Sequence, residues 1–137
     1  MTDQPPIYLT QTDLDRLWDL LEAYATGSGG RRFDKLEDEL VRAVIMPRDQ
    51  IPKDVVTMNS RVVFEDETTA QRREVTLVYP GKADINAGKI SILVPVGTAL
   101  LGLRAGQSID WELPDGQKRR YRIIEVPYQP EAAGKPD

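Results

Sequence analysis

Along the first third of the chain, apolar residues recur at helical spacing. Leu14, Leu17, Trp18 and Leu21 follow an i, i+3, i+4, i+7 stripe, with Asp13, Asp15, Arg16, Asp19 and Glu22 filling the other face. Thr10 stands just before the stripe with Asp13 three residues on, which predicts an N-cap and an acid at the positive end of a helix. Residues 26–30 (Thr-Gly-Ser-Gly-Gly) end it, because three glycines cannot stay helical cheaply. A second stripe of Phe33, Leu36, Leu40 and Val44 carries Asp34, Glu37, Asp38 and Arg42 largely opposite, and Pro47 is expected to stop it. Two such helices joined by a short loop predict an antiparallel hairpin. Ile7-Tyr8-Leu9, ahead of the first helix, reads as a small strand.

The period then changes. Two prolines, Pro47 and Pro52, break helix and sheet alike and mark a boundary over residues 47–53. Beyond it, residues 61–65, 72–79, 89–94, 108–113 and 119–126 read as strands. In the fourth, Ile109, Trp111 and Leu113 face one way and Ser108, Asp110 and Glu112 the other. Pro114-Asp115-Gly116 joins the last two strands as a hairpin turn. In the last strand Tyr121 and Ile123 share a phase that Ile124 and Val126 reverse, which calls for a bulge or a strand buried on both sides. Residues 95–102 predict a short helix, opened by Pro95 and closed by Gly102. The pattern as a whole predicts an α+β fold. A helical hairpin occupies residues 1–46, a linker 47–53 and a β domain with one short helix 54–128. A flexible tail is expected over 129–137, which are polar and proline-rich.

Composition narrows the chemistry. The 137 residues include no cysteine and no histidine, so disulfides, thiolate chemistry and the usual general base are all missing. Serines and lysines show no nucleophile motif. Gly27, Gly29 and Gly30 follow a helix and lack the lysine of a phosphate loop. These features argue against an enzyme, and no cofactor or metal is implied. Net charge is −4, and the first 50 residues hold ten acids and six bases while the remainder holds twelve of each. Tight binding to bare nucleic acid is therefore not expected. No apolar run reaches the ~20 residues of a membrane span, and the N-terminus lacks the pattern of a signal peptide. A soluble cytoplasmic protein with no membrane partner is the expectation.

Two motifs add a family. Pro52-Lys-Asp-Val-Val-Thr-Met-Asn-Ser-Arg-Val-Val-Phe-Glu65 and Gly97-Thr-Ala-Leu-Leu-Gly-Leu-Arg-Ala-Gly106 together resemble the C-terminal domain of the Gre-type transcript-cleavage factors. The likeness is strongest to the short branch of that superfamily, the regulators of nucleoside diphosphate kinase. The resemblance implies an FKBP-like antiparallel β domain and a regulator that binds RNA polymerase at its secondary channel; a monomer is the expectation. Such a regulator competes with Gre factors and meets nucleic acid only through the polymerase. It also implies a grip around Ser91, Leu93, Val94, Pro95 and Gly97. Pro95 and Gly97 fit the family pattern, whereas Leu93 and Val94 replace its acidic and serine positions.

In Gre factors, two carboxylates at the hairpin tip help hold a catalytic magnesium ion. Here the tip residues are Ser28, Arg31 and Arg32, followed by Asp34 and Glu37, whose i, i+3 spacing puts both carboxylates on one helical face. Residues 25–32 contain no acid. Helices of about 13 residues reach ~20 Å, about half the length the resemblance gives the cleavage factors. Transcript cleavage is therefore not expected. A protein-binding adaptor acting outside transcription is the alternative, and a cleavage factor using Asp34 and Glu37 the third reading. Lys118-Arg119-Arg120-Tyr121-Arg122 is the basic cluster of the chain. It reads either as a strand whose charges block edge pairing or as a contact for nucleic acid or an acidic partner surface.

Overall fold

The computed structural model describes residues 7–25, 34–112 and 115–134. Strand β1 (Tyr8–Leu9) leads into helix α1 (Gln11–Ala25); helix α2 (Asp34–Val41) and strand β2 (Val44–Ile45) follow. The rest comprises β3 (Arg61–Asp66), β4 (Gln71–Val78), β5 (Lys89–Ser91), α3 (Pro95–Leu100), β6 (Ser108–Glu112), β7 (Lys118–Tyr128) and α4 (Pro130–Ala133). The α+β class follows as the periodicities require.

Helix α1 starts at the cap foreseen for it. The Asp13 amide donates to Thr10 Oγ1 at 3.1 Å, a bond whose loss typically costs about 1 kcal/mol. Leu17 and Leu21 are buried and Leu14 and Trp18 pack against the core. Asp13, expected on the solvent face, is instead fully buried, with the Tyr79 hydroxyl donating to Asp13 Oδ1 at 3.2 Å. Helix α2 buries Leu36 and Leu40 as expected, and Glu39 as well, ion-paired with Arg42. The helix does not run on to Pro47. It stops at Val41, and Val44–Ile45 pairs in parallel with Tyr8–Leu9. The Val44 amide donates to Ile7 O at 2.8 Å and the Met46 amide to Leu9 O at 2.9 Å. Val44 is thereby a strand residue, 43% exposed, and not part of the helical stripe. A β-branched pair lies beside a free strand, and sheet bonds compete successfully with one more helical turn.

The second unit is a five-stranded sheet in the order β5-β4-β3-β7-β6, antiparallel except for the parallel β4–β5 pair. Val62 and Phe64, Val75 and Leu77, Ile109 and Trp111, and Tyr121 and Ile123 alternate onto its buried face. The phase reversal in β7 is a bulged one. Phe64 pairs with Ile123 but Val63 with Glu125 and Arg61 with Tyr128, so β7 carries an extra residue at each of two shifts.

The hairpin region and the sheet share one core, in which Ile7, Leu9, Leu17, Leu21, Leu36 and Leu40 join Leu77, Leu100 and Ile123. Gly102, at φ 79°, shows how close they lie: a Cβ there would stand 2.9 Å from Ile7 Cα. The expected flexible tail is corrected over its first part, where Gln129, Pro130 and Glu131 are buried. Gln129 Nε2 donates to the carbonyls of Pro52 and Val55, each at 2.8 Å, and Thr57 Oγ1 donates to Glu131 Oε1 at 2.7 Å. Polar composition misled because these groups find their partners inside the fold. Residues 135–137 lie outside the described part.

Candidate functional site

Ser91, Leu93, Val94, Pro95 and Gly97 converge on one corner, where β5 turns into α3. Ser91 Oγ accepts the Leu93 amide at 3.0 Å, and the Ser91 carbonyl accepts the Val94 amide at 3.1 Å. Ile92 is buried between them, its amide donating to Val78 O at 2.9 Å. Strand β5 therefore ends at Ser91 and not at Val94 as the apolar run predicted. Pro95 opens α3, and Thr98 Oγ1 donates to the Ile92 carbonyl at 2.7 Å, tying the helix back to the turn. Gly97 is buried so tightly that a Cβ would overlap the Ser91 carbonyl oxygen and lie 3.2 Å from Leu77 Cδ1.

The five residues divide their tasks accordingly. Ser91 and Gly97 build the corner and Pro95 starts the helix. Leu93 is half-buried and packs against the core. Val94 is the side chain offered outward, 39% exposed. Such an apolar residue on a rigid mount suits docking by a protein partner.

Ser28, Arg31 and Arg32 lie outside the described residues. Asp34 begins α2, and Glu37 is exposed on that helix. Among the described residues, no group of three or more acids could hold a metal ion.

The basic cluster is largely neutralised by its neighbours. Arg119 pairs with Asp66 at 3.5 Å. Arg120 pairs with Asp110 at 2.8 Å and Glu67 at 3.3 Å, contacts that raise its pKa, Asp110 most. Arg122 stands opposite Glu65 in the ladder, and Glu65 itself pairs with Arg72 at 3.0 Å. This is a solvated face of alternating charge. Tyr121, on the buried side, has its phenol pKa raised by burial and then by the charge of Asp66. It packs edge-on against Phe64, with ring centroids 5.7 Å apart.

One concave site went unseen in the sequence. It lies where α1 meets the turn after β4 and the end of β7, with Arg16, Tyr79, Lys82 and Tyr128 in its lining.

Comparison with known proteins joins the two units. Residues 51–128 match the family model of the C-terminal region of the GreA/GreB transcription elongation factors, and residues 5–46 match the Rnk N-terminus. A protein of Escherichia coli K12, the regulator of nucleoside diphosphate kinase, is 46% identical over 133 residues, 96% of each chain. The chain belongs to the Rnk branch of the GreA/GreB superfamily. A GreA elongation factor of Azorhizobium caulinodans is 36% identical over 95 residues, 69% of this chain and 60% of its own. The solved structure of a GreA/GreB factor from Nitrosomonas europaea is 48% identical and superposes with a TM-score of 0.70, covering 91% of this Rnk-type chain and all of the other. Among the described residues no helix is long and apolar enough to cross a membrane.

Proposed function

We propose that this Rnk-type chain is a monomeric cytoplasmic regulator that binds RNA polymerase at the secondary channel. It competes there with Gre factors without supporting transcript cleavage. The observation that carries the reading is the double family match: a GreA/GreB C-terminal unit over residues 51–128 joined to an Rnk N-terminus over residues 5–46. In this reading the sheet with α3 is FKBP-like and does the gripping, through the corner that presents Val94. The hairpin region enters the channel mouth. Helix α1 has 15 residues, a reach of about 22 Å at 1.5 Å per residue, which favours occupancy of the entrance over delivery of carboxylates to the active centre. The name of the E. coli relative points to nucleoside diphosphate kinase, and we read altered kinase levels as a consequence of transcriptional control. The deciding experiment is competition on purified core polymerase. Adding the protein to backtracked complexes should suppress Gre-stimulated cleavage in a saturable way. Unchanged Gre activity at saturating protein overturns the proposal.

A further inference from the structure

The cleft between α1 and the sheet has the chemistry of a binding site. Arg16, Asn59, Tyr79, Lys82 and Tyr128 line a volume of about 600 Å³, within the range of roughly 300–1,000 Å³ typical of small-molecule sites. A contiguous depression beside Arg16, Asp19, Leu20 and Tyr79 extends it along the helix. The five lining side chains come from four stretches of sequence, around residues 16, 59, 79–82 and 128, brought together at a seam between two units, where ligand sites preferentially form.

Two features prepare the site. Tyr79 is anchored by its hydrogen bond to the buried Asp13, which holds its ring at the wall. Asn59 sits in a left-handed turn at φ 68°, its amide donating to Leu77 O at 2.6 Å, so the backbone there is already committed. Three polar groups are left over. Among the described residues the Lys82 ammonium, the Asn59 side-chain amide and the Tyr128 hydroxyl make no hydrogen bond or ion pair.

Two cations, two phenol rings and a free amide are complementary to a ligand with concentrated negative charge at one end and a planar polar ring at the other. Arginine and lysine receive phosphate oxygens, aromatic faces receive the ring, and an amide reads donors and acceptors on its edge. The ligand must be small. Asp19 borders the cleft, and the first 50 residues carry ten acids against six bases, a field that repels an extended polyanion. We propose that this cleft binds a nucleoside di- or triphosphate. The assignment is independent of polymerase docking, since it uses none of the corner residues around Val94.

The test is amide chemical-shift titration of the full chain with ATP, adenosine, inorganic pyrophosphate and a single-stranded RNA oligonucleotide. ATP should give saturable shifts at Asn59, Tyr79, Lys82 and Tyr128. Adenosine and pyrophosphate, each supplying half the recognition, should bind about tenfold or more weakly than ATP. Lys82→Glu, at an exposed position, should weaken ATP by a similar factor with an unchanged melting temperature, and Lys82→Arg should retain binding. Absence of saturable shifts at millimolar ATP overturns the proposal. So does pyrophosphate binding as tightly as ATP, which marks a bare anion site. Tighter binding of RNA than of ATP, or shifts confined to residues 118–122, likewise overturns it.

Discussion

At Tyr121 a single hydroxyl carries a pH signature. Burial and the nearby Asp66 favour the protonated phenol, so its folded pKa lies above the unfolded value near 10. A raised pKa contributes stability that is fully present below the unfolded pKa and is lost as pH rises through the folded one. Tyr121→Phe removes that loss, and the hydroxyl has no hydrogen-bond partner among the described residues. The variant should match the parent within about 0.5 kcal/mol at neutral pH and become relatively more stable above pH ~10. Urea denaturation at both pH values checks it, and parallel losses in the two proteins would disprove the assignment. Val94 makes the complementary case on the surface. Val94→Asp should leave the melting temperature unchanged while weakening polymerase binding by about 2 kcal/mol, read from the competition midpoint. Leu93→Asp is the poorer probe, because Leu93 also packs against the core.

At the scale of elements, the segment from Gln129 to Glu131 acts as a latch. It holds the stretch between Arg48 and Thr57, which links the hairpin to the sheet. Gln129 serves two carbonyls, Thr57 donates to Glu131, and Arg48 approaches the same carboxylate at 3.8 Å. Gln129→Ala leaves the carbonyls of Pro52 and Val55 without that donor in a buried setting. The expected cost is about 2 kcal/mol, seen as a lower urea midpoint. A loss below roughly 0.5 kcal/mol, the size of an ordinary surface substitution, would return these residues to the status of a loose tail. Helix α2 teaches a related lesson. Its apolar spacing continued through Val44, yet the chain left the helix because β1 supplied backbone partners.

At the scale of the molecule, hairpin and sheet share a core, and in the proposed reading the reach of the hairpin is set by helix length. Magnesium coordination requires carboxylate oxygens at about 2.1 Å, and a shortfall of one helical turn abolishes it. Backtracked polymerase complexes incubated with the protein and magnesium should therefore keep full-length transcript. Shortened RNA that vanishes in an Asp34→Asn, Glu37→Gln double variant would promote the cleavage reading instead.

Local order along the chain was enough for much of this. The period of Leu14, Leu17 and Leu21, the cap at Thr10, the proline opening α3 and the alternation through Ile109 and Trp111 each encode an element within a few neighbouring residues, and the two motifs carried the family. The corner proposed for docking was legible as a set of neighbouring positions, because its residues are contiguous from Ser91 to Gly97. Which of them is exposed was not. Only the tertiary structure buried Asp13, paired Arg119 and Arg120 of β7 with acids, seated Gln129 and Glu131, and assembled the cleft around Tyr79. Asp13 meets Tyr79 across 66 positions, Thr57 meets Glu131 across 74 and Pro52 meets Gln129 across 77. A polar side chain is buried or exposed according to whether such a distant partner repays its desolvation, and periodicity holds no record of that.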